Sequence, residues 1–182
     1  MTRTIFIYGI ISGAVVALGI TATIIFSGGQ PPHSSVFLGY LIMLVALSSI
    51  LVGVKQYRDN VQGGVIGFWK ALAIGLGISA VAGVAYVIVW EAYCAIAHYD
   101  FATDYANSIL QAKQAAHVSA AEYQKAVTEM AQFRTQYANP LFRWPMTFIE
   151  IFPVGVLVAL VSAALVRNPK FLPARSRQTA QA

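Results

Sequence analysis

Charge is what this sequence has least of. Of its 182 residues only 10% are Asp, Glu, Lys or Arg, where a soluble domain carries about a quarter. With 58% hydrophobic residues and a mean hydropathy of +0.65, the chain excludes an ordinary soluble globule and points to one membrane domain. Cysteine is almost missing as well. Cys94 stands alone, which excludes an internal disulfide and a Cys-based zinc site and leaves the redox compartment open. There is no P-loop, dinucleotide fingerprint, HExxH or nucleophile elbow, so no motif names a reaction. No cofactor and no metal is therefore expected, and a non-enzymatic protein is. Glycine and proline are absent from Val84 through Asn139, which excludes a turn-rich segment and predicts helix there.

What is present is a set of long apolar runs. The stretch organising the rest is Phe68 to Tyr93, FWKALAIGLGISAVAGVAYVIVWEAY. As helix, Ala71 to Tyr93 extends about 34 Å, slightly more than the hydrocarbon core of a bilayer. Ala71, Gly75, Ser79 and Gly83 recur every fourth residue, a stripe that lets another helix approach closely. Ile5 to Phe26 is free of charge and longer than a signal-peptide core, so it is kept as a span. Within it Gly9 and Gly13 form a GxxxG. After a turn at Pro31-Pro32, Val36 to Val54 makes a second span, in which Ser48 and Ser49 are expected to bond back to carbonyls of their own helix. The spans are set at about 5–26, 36–54, 70–93 and 147–166, in a membrane domain of 1–168 with a polar, disordered tail over 169–182.

Four spans put both termini on one side. That side holds Arg3, Lys55, Arg58, Lys70, Arg167, Lys170, Arg175 and Arg177 against one acid, Asp59. The other side holds Lys113, Lys125, Arg134 and Arg143 balanced by Asp100, Asp104, Glu122 and Glu129. The positive-inside rule makes the termini cytoplasmic. The net charge of +5 follows from this arrangement, since the basic residues flank spans, and nucleic acid is not expected as a partner. The insert of about 95–143 reads as a helical hairpin outside the membrane, its first arm continuous with the third span. Phe101, Tyr105 and Ala112 mark one apolar face, and Tyr123, Val127, Met130 and Tyr137 mark the other. Ser119 to Glu122 fits a capping box at the start of the second arm. The predicted fold is an all-α integral membrane four-helix bundle with an extracytoplasmic helical hairpin between the third and fourth spans.

Two carboxylates, Glu91 and Glu150, fall inside apolar spans, where an ionisable group is costly unless it is paired, neutralised or wet. They lie at a similar level near the outer ends of antiparallel spans, so they are candidates for a proton or ion site. Against this, Thr147 to Glu150 fits a capping box that accounts for Glu150 structurally. Glu91 needs either a continuing helix or a cationic partner, and Arg143 is the first choice. Glu91, Cys94 and His98 share one face of a continuous helix, a spacing that invites a metal reading but recurs by chance. Trp90, Tyr93, Tyr99 and Trp144 read as outer-boundary anchors.

Three stretches carry a resemblance: Lys55-Gln56-Tyr57-Arg58-Asp59-Asn60 with Gly63-Gly64; Tyr86 to Glu91; and Asn139-Pro140 with Thr147-Phe148-Ile149-Glu150-Ile151-Phe152-Pro153-Val154-Gly155. Through them the chain resembles the bacterial membrane proteins of the domain of unknown function 4199 family, from the first span to the end of the fourth. The resemblance implies a small four-span protein of the bacterial cytoplasmic membrane with an extracytoplasmic helical insert. It supplies no catalytic residue. Two functions are weighed. One is a non-enzymatic accessory, scaffold or homo-oligomeric subunit that works in the lipid bilayer through helix packing at Gly9, Gly13, Gly75, Ser79, Gly83 and Gly155. The other is a small transporter or proton/ion-coupled carrier using Glu91 and Glu150, with His98 and Arg143 beside them.

Overall fold

A computed structural model describes residues 1–26 and 36–173. The turn expected at Pro31-Pro32 and the tail beyond Pro173 lie outside the described residues. Seven helices follow one another among those residues: α1 (Thr2–Phe26), α2 (Val36–Leu47), α3 (Ser49–Val61), α4 (Phe68–Ile96), α5 (Phe101–Ala115), α6 (Ala120–Tyr137) and α7 (Pro140–Val166). No strand occurs among them. Four stretches are long and apolar enough to cross a membrane: Thr2–Gly19, Phe37–Val61, Phe68–Ile96 and Pro140–Val166. The second is built from α2 and α3 together.

The chain divides into two compact units. The first comprises residues 1–86 and the chain from Glu150 on, and the second is Val87–Ile149. The core of the first is aliphatic, with Val16, Leu47, Ile50, Val54, Ile74, Ile78, Ile151 and Ala159 all at 1% exposure or less. Small residues set how closely its helices meet. A Cβ on Gly13 would collide with Ala85, and one on Gly9 with Val81, so α1 lies directly against α4. A Cβ on Gly75 would meet Ala159 and Ile50, and one on Gly155 would meet Ser79, so α4 and α7 touch through their small residues. Gly83 is buried on the same stripe. These stripes are used up by contacts within the chain.

Polar side chains tie α1 to α2 and α3. Ser12 Oγ donates to the carbonyl of Ala46 at 3.1 Å and is bonded to Ser49 Oγ. Ser49 was expected to bond its own helix; it instead donates to the Tyr8 carbonyl of α1 at 3.3 Å. Ser48 does bond back, to the Val45 carbonyl at 2.6 Å. There the Leu51 amide takes the Ser48 carbonyl, a tightened turn that separates α2 from α3 within the expected continuous span.

Arg58, read from sequence as a basic flank, is wholly buried. Its guanidinium donates to the carbonyls of Val166 (3.3 Å), Phe171 (2.9 Å) and Leu172 (2.6 Å), and its Nε donates to Asp59 at 2.7 Å. Lys55 completes the group with a 2.6 Å contact to Asp59. A charge sits where α7 ends at Val166 with a carbonyl that lacks a helical donor and where the helix dipole is negative, so Arg58 fastens α3 to that end and to the segment after it.

Three expectations about the helix ends need correction. The helix of the third span does not continue into the insert. It ends at Ile96, and His98 takes a left-handed φ of 50° while the Tyr99 amide bonds the Cys94 carbonyl. That is a Schellman-type stop. The helix of the fourth span begins at Pro140, ahead of the expected start at Thr147. Asn139 Oδ1 accepts the Leu141 amide at 3.0 Å, so Asn139 and Pro140 form the true N-terminus. Thr147 is thus mid-helix, donating to the Arg143 carbonyl at 3.0 Å, and the capping-box explanation of Glu150 falls.

Candidate functional site

The second unit gathers most of the polar chemistry. α5 starts where it does because Asp100 caps it, accepting the Thr103 amide at 3.0 Å and the Thr103 hydroxyl at 2.5 Å. These bonds hold the Asp100 carboxyl below its ordinary range. α6 starts at Ser119, whose hydroxyl accepts the Glu122 amide at 3.3 Å. The Glu122 carboxylate turns to Lys113 at 2.5 Å instead of completing the box. Between α5 and α6 the apolar faces meet through rings: Phe101 lies 5.3 Å from Tyr137, and Tyr105 lies 5.3 Å from Phe133. Trp90, expected as an anchor, is part of this cluster; its indole N–H donates to the Tyr137 hydroxyl at 3.1 Å. Burial raises the Tyr137 phenol, and burial together with the Asp104 carboxylate beside it raises Tyr99 to about 12. Both therefore stay protonated and able to donate.

Glu91 and Arg143 form a two-pronged ion pair. Arg143 Nε donates to Glu91 Oε1 at 2.6 Å and Nη2 to Oε2 at 2.5 Å, while Nη1 donates to the Tyr137 carbonyl at 3.3 Å. The planar fork matches the carboxylate, and both side chains are about a quarter exposed. Glu150 belongs to the first unit. It is exposed, and the hydroxyl of the buried Tyr86 donates to its Oε2 at 3.1 Å. The two acids thus have separate partners. His98 leaves the helical face that would have aligned it with Glu91 and Cys94, and it is exposed. Among the described residues no three His, Cys, Asp or Glu side chains converge.

A cleft of about 690 Å³ opens within the second unit, lined by Glu91, Tyr99, Asp100, Phe101, Arg134 and Arg143 among others. Sequence reasoning had placed Arg134 and Asp100 only in a charge balance. Their convergence depends on where α5 begins and on the last turn of α6, neither of which leaves a spacing signature. What the cleft presents is two positive and two negative groups beside aromatic rings.

The chain belongs to the family described as protein of unknown function (DUF4199), which matches residues 7–168. No curated protein and no solved structure matches it.

Proposed function

We propose that this family member is a non-enzymatic subunit of the bacterial cytoplasmic membrane, acting as an accessory or scaffold through contacts with another membrane protein or a second copy of itself. Both termini lie in the cytoplasm, the four spans form a bundle, and α5 and α6 project outside as a hairpin. One observation carries this reading: two charged side chains of the apolar spans, Arg58 and Glu91, are committed to holding helices together. Arg58 is spent on three backbone carbonyls and Asp59, and Glu91 is spent on Arg143. A carrier needs a group in the membrane that gains and loses a proton or ion as it works, and a forked ion pair resists that. Because Gly13, Gly75 and Gly155 are occupied within the chain, a partner docks on other faces. Cross-linking in native membranes tests the proposal. A specific adduct to a second chain supports it, and a strictly monomeric protein rejects it.

Glu150 favours a second reading, as a proton or ion site. It is an exposed carboxylate within an apolar helix, with a phenol as its hydrogen-bond donor. Proton flux into vesicles distinguishes the two. Under the scaffold reading flux equals that of protein-free vesicles and is unchanged by Glu150→Gln; a carrier shows flux that this substitution abolishes.

A further inference from the structure

The cleft of the second unit holds a cation and an anion apart. Glu91 and Arg143 satisfy one another across two hydrogen bonds, whereas Arg134 has no charged partner among the described residues and each Asp100 oxygen, though bonded to Thr103 at the start of α5, keeps a second lone pair. The two feel each other electrostatically. Yet among the described residues Arg134 makes no ion pair, although it lines the same cleft as Asp100. Opposite charges fixed beyond contact distance in one concavity complement a ligand that carries both signs. The aromatic lining suits the positive end of such a ligand, since a ring face attracts an ammonium, and the guanidinium fork suits phosphate. Tyr99 also lines the cleft, its hydroxyl kept protonated at neutral pH and bonded to the Asp104 side chain.

The place of the cleft narrows the class further. Its walls include the last turns of α4 and the first turn of α7, where two apolar helices end. On the start of α7, Leu141, Trp144 and Met146 are exposed at 79%, 46% and 45%. Large apolar side chains beside charged ones are the pattern of a membrane–water boundary.

We propose that this cleft binds a zwitterionic phosphate ester of the phosphoethanolamine type, its phosphate on Arg134 and its ammonium between Asp100 and the aromatic rings. The same chemistry is offered by a phospholipid headgroup and by the free soluble ester. The experiment uses the full chain purified in detergent, with native mass spectrometry after exposure to phosphatidylethanolamine or phosphatidylglycerol. The expected result is retention of one phosphatidylethanolamine, about tenfold over phosphatidylglycerol, and a loss of about tenfold in Arg134→Gln, the worth of one charge-assisted hydrogen bond. Arg134→Lys retains part of the binding. Asp100→Asn, which keeps a residue that caps α5, removes the preference for phosphatidylethanolamine without lowering phosphatidylglycerol binding. Free phosphoethanolamine distinguishes the sources: displacing the lipid admits a soluble ester, and failing to displace a retained lipid assigns the site to the membrane. Equal retention of the two lipids, or unchanged binding in a folded Arg134→Gln or Asp100→Asn protein, overturns the proposal.

Discussion

Arg58 is the residue on which most rests. Its side chain is fully buried and donates to the carbonyl of Val166 at the end of α7 and to those of Phe171 and Leu172 in the segment beyond it. Arg58→Ala removes donors from three carbonyls and leaves Asp59 with one fewer cation, a loss of about 3–5 kcal/mol. Arg58→Lys recovers only part, because an ammonium cannot reproduce the fork. Denaturation of the purified variants checks this, and equal stability of Arg58→Lys and the parent would reject the fork as the reason. Asp100 offers a pH-dependent counterpart. Its carboxyl lies below the ordinary value of 3.8 in the folded chain, so its stabilisation is complete above that value and is lost as the pH falls through the lower, folded one. Asp100→Ala should therefore cost about 1 kcal/mol at neutral pH as a lost cap. The difference from the parent should vanish in strong acid, as read by helix content against pH. His98, held at φ 50°, predicts the opposite sign. His98→Gly relieves a left-handed conformation and should raise stability by about 0.5–1 kcal/mol, visible as a higher melting temperature. A lower one would show that the imidazole makes a contact worth more than the relief.

At the scale of elements, the helices pack by absence of side chain. Gly155 faces Ser79, and Gly75 faces Ala159. Gly155→Val should force α7 from α4 and destabilise by about 1–3 kcal/mol. Gly39, in α2, has nothing within 4 Å of an added Cβ, so Gly39→Ala should be neutral or gain about 0.5–1 kcal/mol from helix propensity. Urea or SDS titration of the two variants separates packing from propensity, and equal effects would refute the assignment. This level was largely legible beforehand, because repeats of small residues at every fourth position mark a face directly. The ends of elements were not. Thr147 to Glu150 looks like a capping box, yet Asn139-Pro140 starts the helix earlier: a proline sets φ for its first turn whether or not a better-known motif follows. Arg58 was hidden for another reason. A buried arginine and a flanking one look alike in a basic run, and what distinguishes them here is a segment more than a hundred residues away. Glu91 was readable as needing a cation because a carboxylate near a helix C-terminus opposes the dipole, whereas nothing local brings Arg134 to Asp100.

At the scale of the whole molecule, the proposed roles depend on which side of the bilayer each polar segment occupies. The proposed orientation, argued from the lopsided Lys and Arg distribution, has α5 and α6 outside and the end of α7 inside. From this follow both the level of the Glu91–Arg143 pair and the access of a lipid headgroup to the cleft. The most direct measurement places single cysteines at Gln111, Gln124 and Lys170 in a Cys94→Ser background and treats intact cells with a membrane-impermeant maleimide. Labelling at 111 and 124 is expected, with protection at 170 until the cells are broken. Labelling at 170 in intact cells, with 111 and 124 protected, would contradict the proposed orientation.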